Sequence, residues 1–362
     1  MNIIIFNGDG LKPAGFNTWR TKKVEIEISR ALKETGNNVS FINFYNLKQF
    51  YKDLKKIKCD ESIVLTLSEY VDDNRDIFVS NILEELGIPF VGSGSEAVCN
   101  ALLKEKAKAC FVKDEILTPK FFIVSSDEDI NKGFLGYPVV LKPRGSGCSE
   151  GVSIAYNQDQ FEKIVKDLLT EFKQPVIVEE YIGGKNCREY TVGVLNNDEN
   201  RVTTFAEINI PETNGIKLLD EKMKNNPETD KISEVNDSFI KNKLRSIALK
   251  TMQTINGKDV GRVDIRYDGS NFYVIEINLF PGLGDDSYLR RTLNFNNIGF
   301  DKLINMIVYS AILRYEMKPT QKMEVISAYT QKEIHKLSKA ILIDRVMPLT
   351  EKTTEIIENV VL

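Results

Sequence analysis

The segment YPVVLKPRGSGCSEGVSIAY at residues 137–156 places a glycine-rich loop between two stretches that favour β-strands. In P-loop and dinucleotide-binding folds, the glycine-rich loop follows a strand and opens a helix. Here both flanks read as strands, which predicts a loop joining an antiparallel pair. Backbone N–H groups of such a loop can hold phosphate, with the Lys142 ammonium beside them. An ordinary flexible turn is the alternative interpretation.

The N-terminal part of the chain alternates strand and helix patterns. Four strands are predicted at NIIIF, NVSFINF, SIVLTL and IPFVG, with helices at 18–35 and 76–86. Strands separated by helices predict a parallel sheet covered by helices.

The remainder predicts mixed helices and antiparallel strands. Helices are expected at 95–116, 158–172, 237–256 and 300–315. Strands are expected at 117–126, 137–143, 151–156, 175–182, 188–196, 202–210, 261–268 and 271–279. Residues 211–236 are polar and irregular, which is typical of a functional lid or a mobile loop.

Length, charge and composition exclude several classes of protein. The 362 residues indicate two or three packed units, and a net charge of −4 with interspersed signs argues against a nucleic-acid partner. No signal-peptide pattern or apolar run of membrane-spanning length is present, which predicts a cytoplasmic protein without a membrane partner. The one histidine, His335, lies in a polar tail. A histidine triad or a histidine zinc site is therefore not expected.

Asp264, Glu276 and Asn278 lie in two strands predicted to form a hairpin around DGS. Glu276 and Asn278 share one strand face, and Asp264 can face them across the hairpin. Two carboxylates and an amide oxygen suit Mg²⁺ bound together with phosphate. An exposed polar strand face is the alternative. Arg262 should share the face of Asp264, where it could stabilise an oxyanion or pair with Glu276.

These motifs together resemble the ATP-grasp superfamily, and within it the D-alanine–D-alanine ligase group, from about Phe90 to Arg291. The resemblance is carried by LGIPFVGSGSEAVCNALLKEKAK, VVLKP, VIVEEYI and the pattern Asp-x11-Glu-x-Asn. It implies an α/β ATP-grasp fold with a Rossmann-like parallel-sheet unit and two α+β lobes. The expected boundaries are an N-terminal unit at 1–93, an ATP-binding lobe at 94–182, a metal-binding lobe at 183–317 and a helical extension or tail at 318–362.

The resemblance also implies roles for individual residues. The residues expected to bind ATP are Lys104, Lys142, Ser146, Gly147, Ser149, Gly151, Glu179, Tyr181, Ile182 and Glu189. The lysines and the loop would hold phosphates, the strand ending at Ile182 would hold adenine, and Glu189 would hold ribose. Two Mg²⁺ ions, replaceable by Mn²⁺, are expected at Asp264, Glu276 and Asn278. Arg262 and Lys142 are the expected catalytic residues, and Ser287 would hold a substrate carboxylate.

The implied reaction is amide or peptide bond formation between a carboxylate and an amine through an acyl phosphate. Small-molecule substrates and a homodimer are implied as well. The segments GDGLKPAGFNTWRTKK and GLGDDSYLRR differ from the substrate loops of D-alanine–D-alanine ligases, and residues 209–228 lack an aromatic residue. We therefore expect amino acid or peptide-like substrates other than D-alanine.

Charged residues in these segments suggest how such substrates would be recognised. The cationic first loop, with Arg20, is expected to bind a negative group on the acyl donor, and Asp285 and Asp286 an ammonium group on the acceptor. Solvated charges are the alternative at both places. Alternatives for the whole chain are D-alanine–D-alanine ligase proper, another ATP-grasp reaction such as phosphoryl transfer, and a nucleotide-binding protein without turnover.

Overall fold

Three β-sheets organise the described part of the chain. The computed structural model describes residues 1–7, 22–43, 47–69, 78–130, 133, 135–147, 149–212, 215–224, 226, 231–295 and 297–338. Within these ranges the sheets have three, four and five strands. None of the helices in this part of the chain is long and apolar enough to cross a membrane.

The N-terminal sheet is parallel, as predicted. It consists of β1 (Asn2–Asn7), β2 (Asn38–Asn43) and β3 (Ser62–Thr66), in the order β2-β1-β3. Its helices are α1 (Lys22–Glu34), α2 (Leu47–Leu54) and α3 (Val79–Glu85). Helix α1 forms because Val24, Ile28 and Leu32 recur at helical spacing, and all three are buried.

The predicted fourth strand, IPFVG, is wrong as a full strand. Phe90 makes only an isolated parallel bridge to Val64. The guanidinium of Arg314 donates to the carbonyl oxygens of Phe90 and Gly92 at 2.8 and 3.1 Å. The segment therefore pairs with β3 only around Phe90, and a side chain bonds two of its carbonyl oxygens.

The predicted helix at 95–116 is two helices. They are α4 (Ser95–Leu102) and α5 (Lys104–Lys113), separated by Leu103 in an extended conformation. The backbone N–H of Lys104 donates to the carbonyl oxygen of Arg144 at 3.2 Å. The break thus joins the start of α5 to the glycine-rich loop.

The four-stranded sheet is antiparallel and is ordered β4-β7-β5-β6. It contains β4 (Phe121–Val124), β5 (Val139–Pro143), β6 (Ser153–Ala155) and β7 (Val176–Glu180), with α6 (Gln158–Phe172) packed against it. Strands β5 and β6 pair antiparallel, with Leu141 opposite Ser153. The prediction that the glycine-rich loop joins two antiparallel strands is confirmed.

The five-stranded sheet is ordered β10-β9-β8-β11-β12 and is antiparallel throughout. Its strands are β8 (Arg188–Leu195), β9 (Val202–Asn209), β10 (Lys231–Ser233), β11 (Val260–Tyr267) and β12 (Phe272–Asn278). Between β9 and β10 lies the short helix α7 (Glu221–Lys224). Helix α8 (Ser238–Thr254), capped by the Asp237 side chain, follows β10.

Three helices complete the described chain, namely α9 (Tyr288–Asn294), α10 (Phe300–Arg314) and α11 (Gln321–Ser338). Met323 and Ile334 of α11 are buried in the same core cluster as Ile28 of α1 and Ile307 of α10. The first part of the predicted extension is therefore built into the core, and residues 339–362 lie outside the described ranges. The four predicted domain boundaries stay a prediction.

Candidate active site

A cleft of about 790 Å³, open to solvent, is lined by residues of both antiparallel sheets. Most of the residues predicted to bind ATP line it: Lys104, Lys142, Ser146, Ser149, Glu179, Tyr181, Ile182 and Glu189. Asp264 and Glu276 line the same cleft. Residues spread over more than 170 positions of sequence are thus brought together.

A buried cluster of lysines surrounds Glu179 at the centre of the cleft. The carboxylate of Glu179 lies 2.7 Å from the Lys142 ammonium and 3.1 Å from that of Lys108. Lys108 also donates to the Thr118 hydroxyl at 2.8 Å. Lys108 was missed in the sequence, although it follows Lys104 by one helical turn and so shares its face.

Burial and mutual attraction shift the pKa values of this cluster in opposite directions. Burial opposes the ionisation of Glu179, but attraction by Lys108 and Lys142 outweighs it and lowers the pKa of this carboxyl to about 2. Burial lowers the pKa of Lys108 to about 8 and also lowers the pKa of Lys104. For Lys142, burial is outweighed by the attraction of Glu179, and its pKa is raised. The cluster therefore presents positive charge that suits a polyphosphate.

The glycine-rich loop is held against this cluster. The Lys104 ammonium donates to the carbonyl oxygen of Ser146, and Gln174 donates to the Ser146 hydroxyl at 3.3 Å. Gly151 has φ +70°, and a Cβ there would lie 2.7 Å from the ring of Pro143. The return of the loop into β6 therefore requires glycine. Gly147 is part of the same loop, and Cys148 lies outside the described residues.

One end of the cleft combines apolar lining with a buried ion pair. Tyr181 and Ile182 line it, joined by Leu218 and Leu219 from the segment after β9. Arg266 donates to the carbonyl oxygen of Ile182 at 2.6 Å and to the Glu189 carboxylate at 2.7 Å. Arg266 was missed in the sequence, although strand alternation places it on the face of Asp264.

The predicted metal ligands lie side by side on β11 and β12. Asp264 is directly opposite Glu276, and Arg262 is opposite Asn278. The guanidinium of Arg262 donates to both carboxylate oxygens of Asp264, at 3.0 and 2.8 Å, and lies 3.4 Å from Glu276. The ion pair with Glu276 that was considered as an alternative is thus present, and the pairing with Asp264 is closer.

Glu276 is held ionised by its surroundings. Burial opposes ionisation, but Lys104, Arg262 and Lys224 outweigh it and lower the pKa of Glu276 to about 2. The Asn278 side-chain oxygen accepts from the backbone N–H of Phe280 at 2.8 Å. Within the described ranges no three His, Cys, Asp or Glu residues form a metal-binding group. Two carboxylates and an amide oxygen are nevertheless hard donors of the kind Mg²⁺ prefers.

On the substrate side, the predicted charges have partners within the protein. Asp285 pairs with Lys23 and, at 2.7 Å, with Arg290, which also pairs with Glu27 at 2.8 Å. An ammonium group at Asp285 would have to displace one of these cations. Ser287 caps α9, with its hydroxyl accepting from the backbone N–H of Arg290.

The other two predicted substrate residues are Asp286 and Arg20. Asp286 is exposed, and Arg20 lies outside the described residues. The substrate roles of Arg20, Asp285, Asp286 and Ser287 stay predictions.

Two further side chains line the cleft without having been singled out. Lys224 ends α7, and Tyr288 begins α9 directly after Ser287. The Lys224 ammonium lies 5.3 Å from the centroid of the Tyr288 ring. No local pattern in the sequence marks this contact, because it joins two segments more than sixty residues apart.

Comparison with known proteins gives consistent matches. The family model described as D-ala D-ala ligase C-terminus matches residues 116–309. A D-alanine–D-alanine ligase of Petrotoga mobilis is 29% identical over 314 residues, covering 82% of this chain and 96% of that protein. A D-alanine–D-alanine ligase of Acinetobacter baylyi is 31% identical over 229 residues, covering 62% of this chain and 72% of that protein.

Solved structures show the same architecture. The D-alanine–D-alanine ligase from Bacillus anthracis complexed with ATP superposes with a TM-score of 0.69 at 21% identity. The superposition covers 87% of this chain and 99% of that one. The predicted ATP-grasp fold class is confirmed.

Proposed function

The chain belongs to the D-ala D-ala ligase C-terminus family and is an ATP-dependent ligase that forms carbon–nitrogen bonds, and we propose that it joins two molecules of D-alanine. The substrate-side differences in sequence predicted other substrates. The relatives named above support D-alanine better. Asp285, one of the residues on which the prediction of other substrates was based, is paired with Lys23 and Arg290.

One observation supports the ligase reaction. The cations of Lys104 and Lys142 and the carboxylates of Asp264 and Glu276 line a single cleft, and the buried Lys108 lies 3.1 Å from Glu179 of the same cleft. Cations positioned at a transferring phosphoryl group stabilise the charge that spreads over its oxygens. Arg262 beside the same carboxylates favours a ligase over a protein that only binds nucleotide, because its N–H groups could also stabilise an oxyanion.

The nucleoside end of the cleft fits adenine. Glu179 Oε1 is buried and lies 3.1 Å from the Lys108 ammonium. The exocyclic amino group of adenine would donate to this oxygen as well. Tyr181, Ile182, Leu218 and Glu189 line the cleft together. The first three would provide apolar walls for the ring, and Glu189 would bind ribose.

Asp264, Glu276 and Asn278 would hold Mg²⁺, which Mn²⁺ can replace. The bound ion would neutralise negative charge on the phosphates. Arg262 would then lose part of its attraction to the two carboxylates, and its N–H groups could turn towards the reacting carbonyl.

In the first step a carboxylate oxygen of D-alanine attacks the γ-phosphorus of ATP. The bond to the β–γ bridging oxygen breaks, and ADP leaves with the electron pair. Lys104 and Lys142 bind the charge that develops on the phosphates. The product is an acyl phosphate.

In the second step the amine nitrogen of another D-alanine attacks the acyl carbon. The tetrahedral oxyanion is stabilised by N–H groups of Arg262. The C–O bond to phosphate breaks, inorganic phosphate leaves, and the nitrogen loses a proton to solvent or phosphate. Leu218, Leu219 and Lys224 line the cleft. The segment 215–224, to which they belong, would exclude water from the acyl phosphate.

The test is release of ADP and phosphate with Mg-ATP, followed together with product mass. D-alanine should be compared with L-alanine, D-serine and D-lactate, singly and in pairs. We expect one ADP per dipeptide with D-alanine alone. Product only with another pair would overturn the D-alanine proposal, and tight ATP binding without any condensation product would point to a protein without turnover.

A matched pair of variants connects the activity to the cleft. Lys104→Met removes a buried cation at the phosphate position, and Lys106→Met removes an exposed cation from the same helix. ATP turnover should fall at least about tenfold in the first and stay unchanged in the second. Equal activity of the two variants would show that the phosphates bind elsewhere.

A further inference from the structure

Tyr288 is buried between cations that belong to different walls of the cleft. The residue is 4% exposed. The Lys224 ammonium lies 5.3 Å from its ring centroid, and the guanidinium carbons of Arg262 and Arg291 lie at 5.7 and 5.5 Å. Cations at such distances are attracted by an aromatic ring, most strongly where water is excluded.

One of these cations also lies beside a predicted metal-binding carboxylate. The Arg262 guanidinium is 3.4 Å from the Glu276 carboxylate, and Lys224 lines the same cleft as Glu276. The Tyr288 ring therefore contacts one cation of the segment 215–224 and one cation of the acyl-transfer site. A change at Tyr288 should affect both positions together.

The opposite end of the segment 215–224 is held by another tyrosine. The Tyr181 hydroxyl accepts from the backbone N–H of Lys217 at 2.9 Å and lies 3.2 Å from the Lys217 carbonyl oxygen. The Lys217 ammonium donates to the carbonyl oxygen of Cys187 at 3.1 Å. The segment is thus fixed at the nucleoside end by Tyr181 and contacts Tyr288 at the end formed by α7.

We propose that Tyr288 is a positioning residue that holds Lys224, and with it the segment 215–224, over the acyl-transfer site. The inference rests on the proposed ligase function. The segment 215–224 contains no aromatic residue of its own. Tyr288 of α9 supplies the aromatic ring instead, and Lys224 of the segment supplies the cation that contacts it. When the contact is lost, water reaches the acyl phosphate and hydrolyses it to carboxylic acid and phosphate, so that ADP forms without an amide.

The first test is the ratio of ADP to dipeptide in Tyr288→Phe and Tyr288→Leu. Phe keeps the ring, so the ratio should stay near that of the wild type. Leu removes it, and ADP should exceed dipeptide by about threefold or more. Tyr309→Leu is the matched control, because Tyr309 is a half-buried tyrosine of α10 that packs on the core cluster formed with α1 and α11. An unchanged ratio in Tyr288→Leu would overturn the proposal.

Lys224→Met supplies a variant that leaves the core intact. It should raise the ratio of ADP to dipeptide as Tyr288→Leu does. The ratio in the double variant should not exceed the higher of the two single-variant ratios, because both changes remove the same contact. Effects that multiply in the double variant would contradict a shared contact. A purely structural role of Tyr288 would lower the melting temperature of Tyr288→Leu and leave the ratio of ADP to dipeptide unchanged.

A second readout does not depend on turnover. Trypsin cleavage after the lysines of residues 215–224 should be about threefold or more faster in Tyr288→Leu than in Tyr288→Phe or Tyr309→Leu, measured with Mg-ADP present. If the wild type made no dipeptide from any pair of substrates, the proposed function would be wrong. The cleavage rates would still test whether Tyr288 positions the segment 215–224. Equal cleavage rates in all three variants would refute its positioning role.

Discussion

Replacing Glu179 with Gln removes the carboxylate that bridges Lys108 and Lys142 in the cleft, at 3.1 and 2.7 Å. We expect the free energy of unfolding to fall by about 3 kcal/mol at pH 7. A carboxyl pKa lowered from 4.5 to about 2 corresponds to about 3 kcal/mol of stability, at about 1.4 kcal/mol per tenfold change in proton affinity. Removal of one partner of a buried ion pair costs a similar amount, about 3–5 kcal/mol.

The sign of the pH dependence follows from the direction of this pKa change. Because the carboxyl is more acidic in the folded state, its contribution is fully present above pH 4.5. The contribution is lost as the pH falls through 4.5 towards 2. The stability difference between wild type and Glu179→Gln should therefore fall to roughly half by about pH 3.

The assay is urea denaturation without nucleotide, followed by far-ultraviolet circular dichroism at several pH values. Glu180→Gln is the control, because Glu180 is the next residue of β7 and its side-chain oxygen accepts from the backbone N–H of Lys120 at 2.9 Å. Gln keeps that acceptor, so the control should stay within about 0.5 kcal/mol of wild type. The reasoning is refuted if Glu179→Gln is as stable as the control at pH 7, or if the difference does not change with pH.

Three further predictions address other parts of the molecule. Arg262→Lys loses the two-point contact with Asp264. In steady-state kinetics it should lower kcat at least about a hundredfold with little change in the KM for ATP. A kcat near that of wild type would exclude a role of Arg262 at the oxyanion. Asp285→Asn removes the ion pairs of a half-exposed side chain. It should lower the free energy of unfolding by less than about 1 kcal/mol and leave the KM for the amine substrate unchanged. A raised KM would show that Asp285 binds substrate. Met323→Ala should lower stability to urea by about 2–5 kcal/mol, because Met323 is buried in the core formed with α1 and α10; an unchanged stability would show that α11 does not belong to that core.

The strands could be predicted because their signal is local. Alternation of side chains marks β11 and β12, and the short turn between them brings Asp264 opposite Glu276. The parallel N-terminal sheet followed in the same way from alternating strand and helix patterns. Where the prediction failed, the cause is a distant contact. Leu103 breaks the expected helix without a glycine or proline, because the Lys104 N–H bonds to the Arg144 carbonyl forty residues away.

That break determines the electrostatics of the cleft. Because α5 restarts at Lys104, both Lys104 and Lys108 lie on its buried side, and Lys108 reaches Glu179 on β7. The sequence indicates Lys104 and Lys142, but it does not indicate Lys108 or show that Lys108 and Lys142 share one carboxylate. The lowered pKa of Lys104 and of Lys108 reflects the cost of burying these cations, and a triphosphate would offset that cost. The helix break, which no local pattern predicts, therefore gives the cleft positive charge that suits a polyanion.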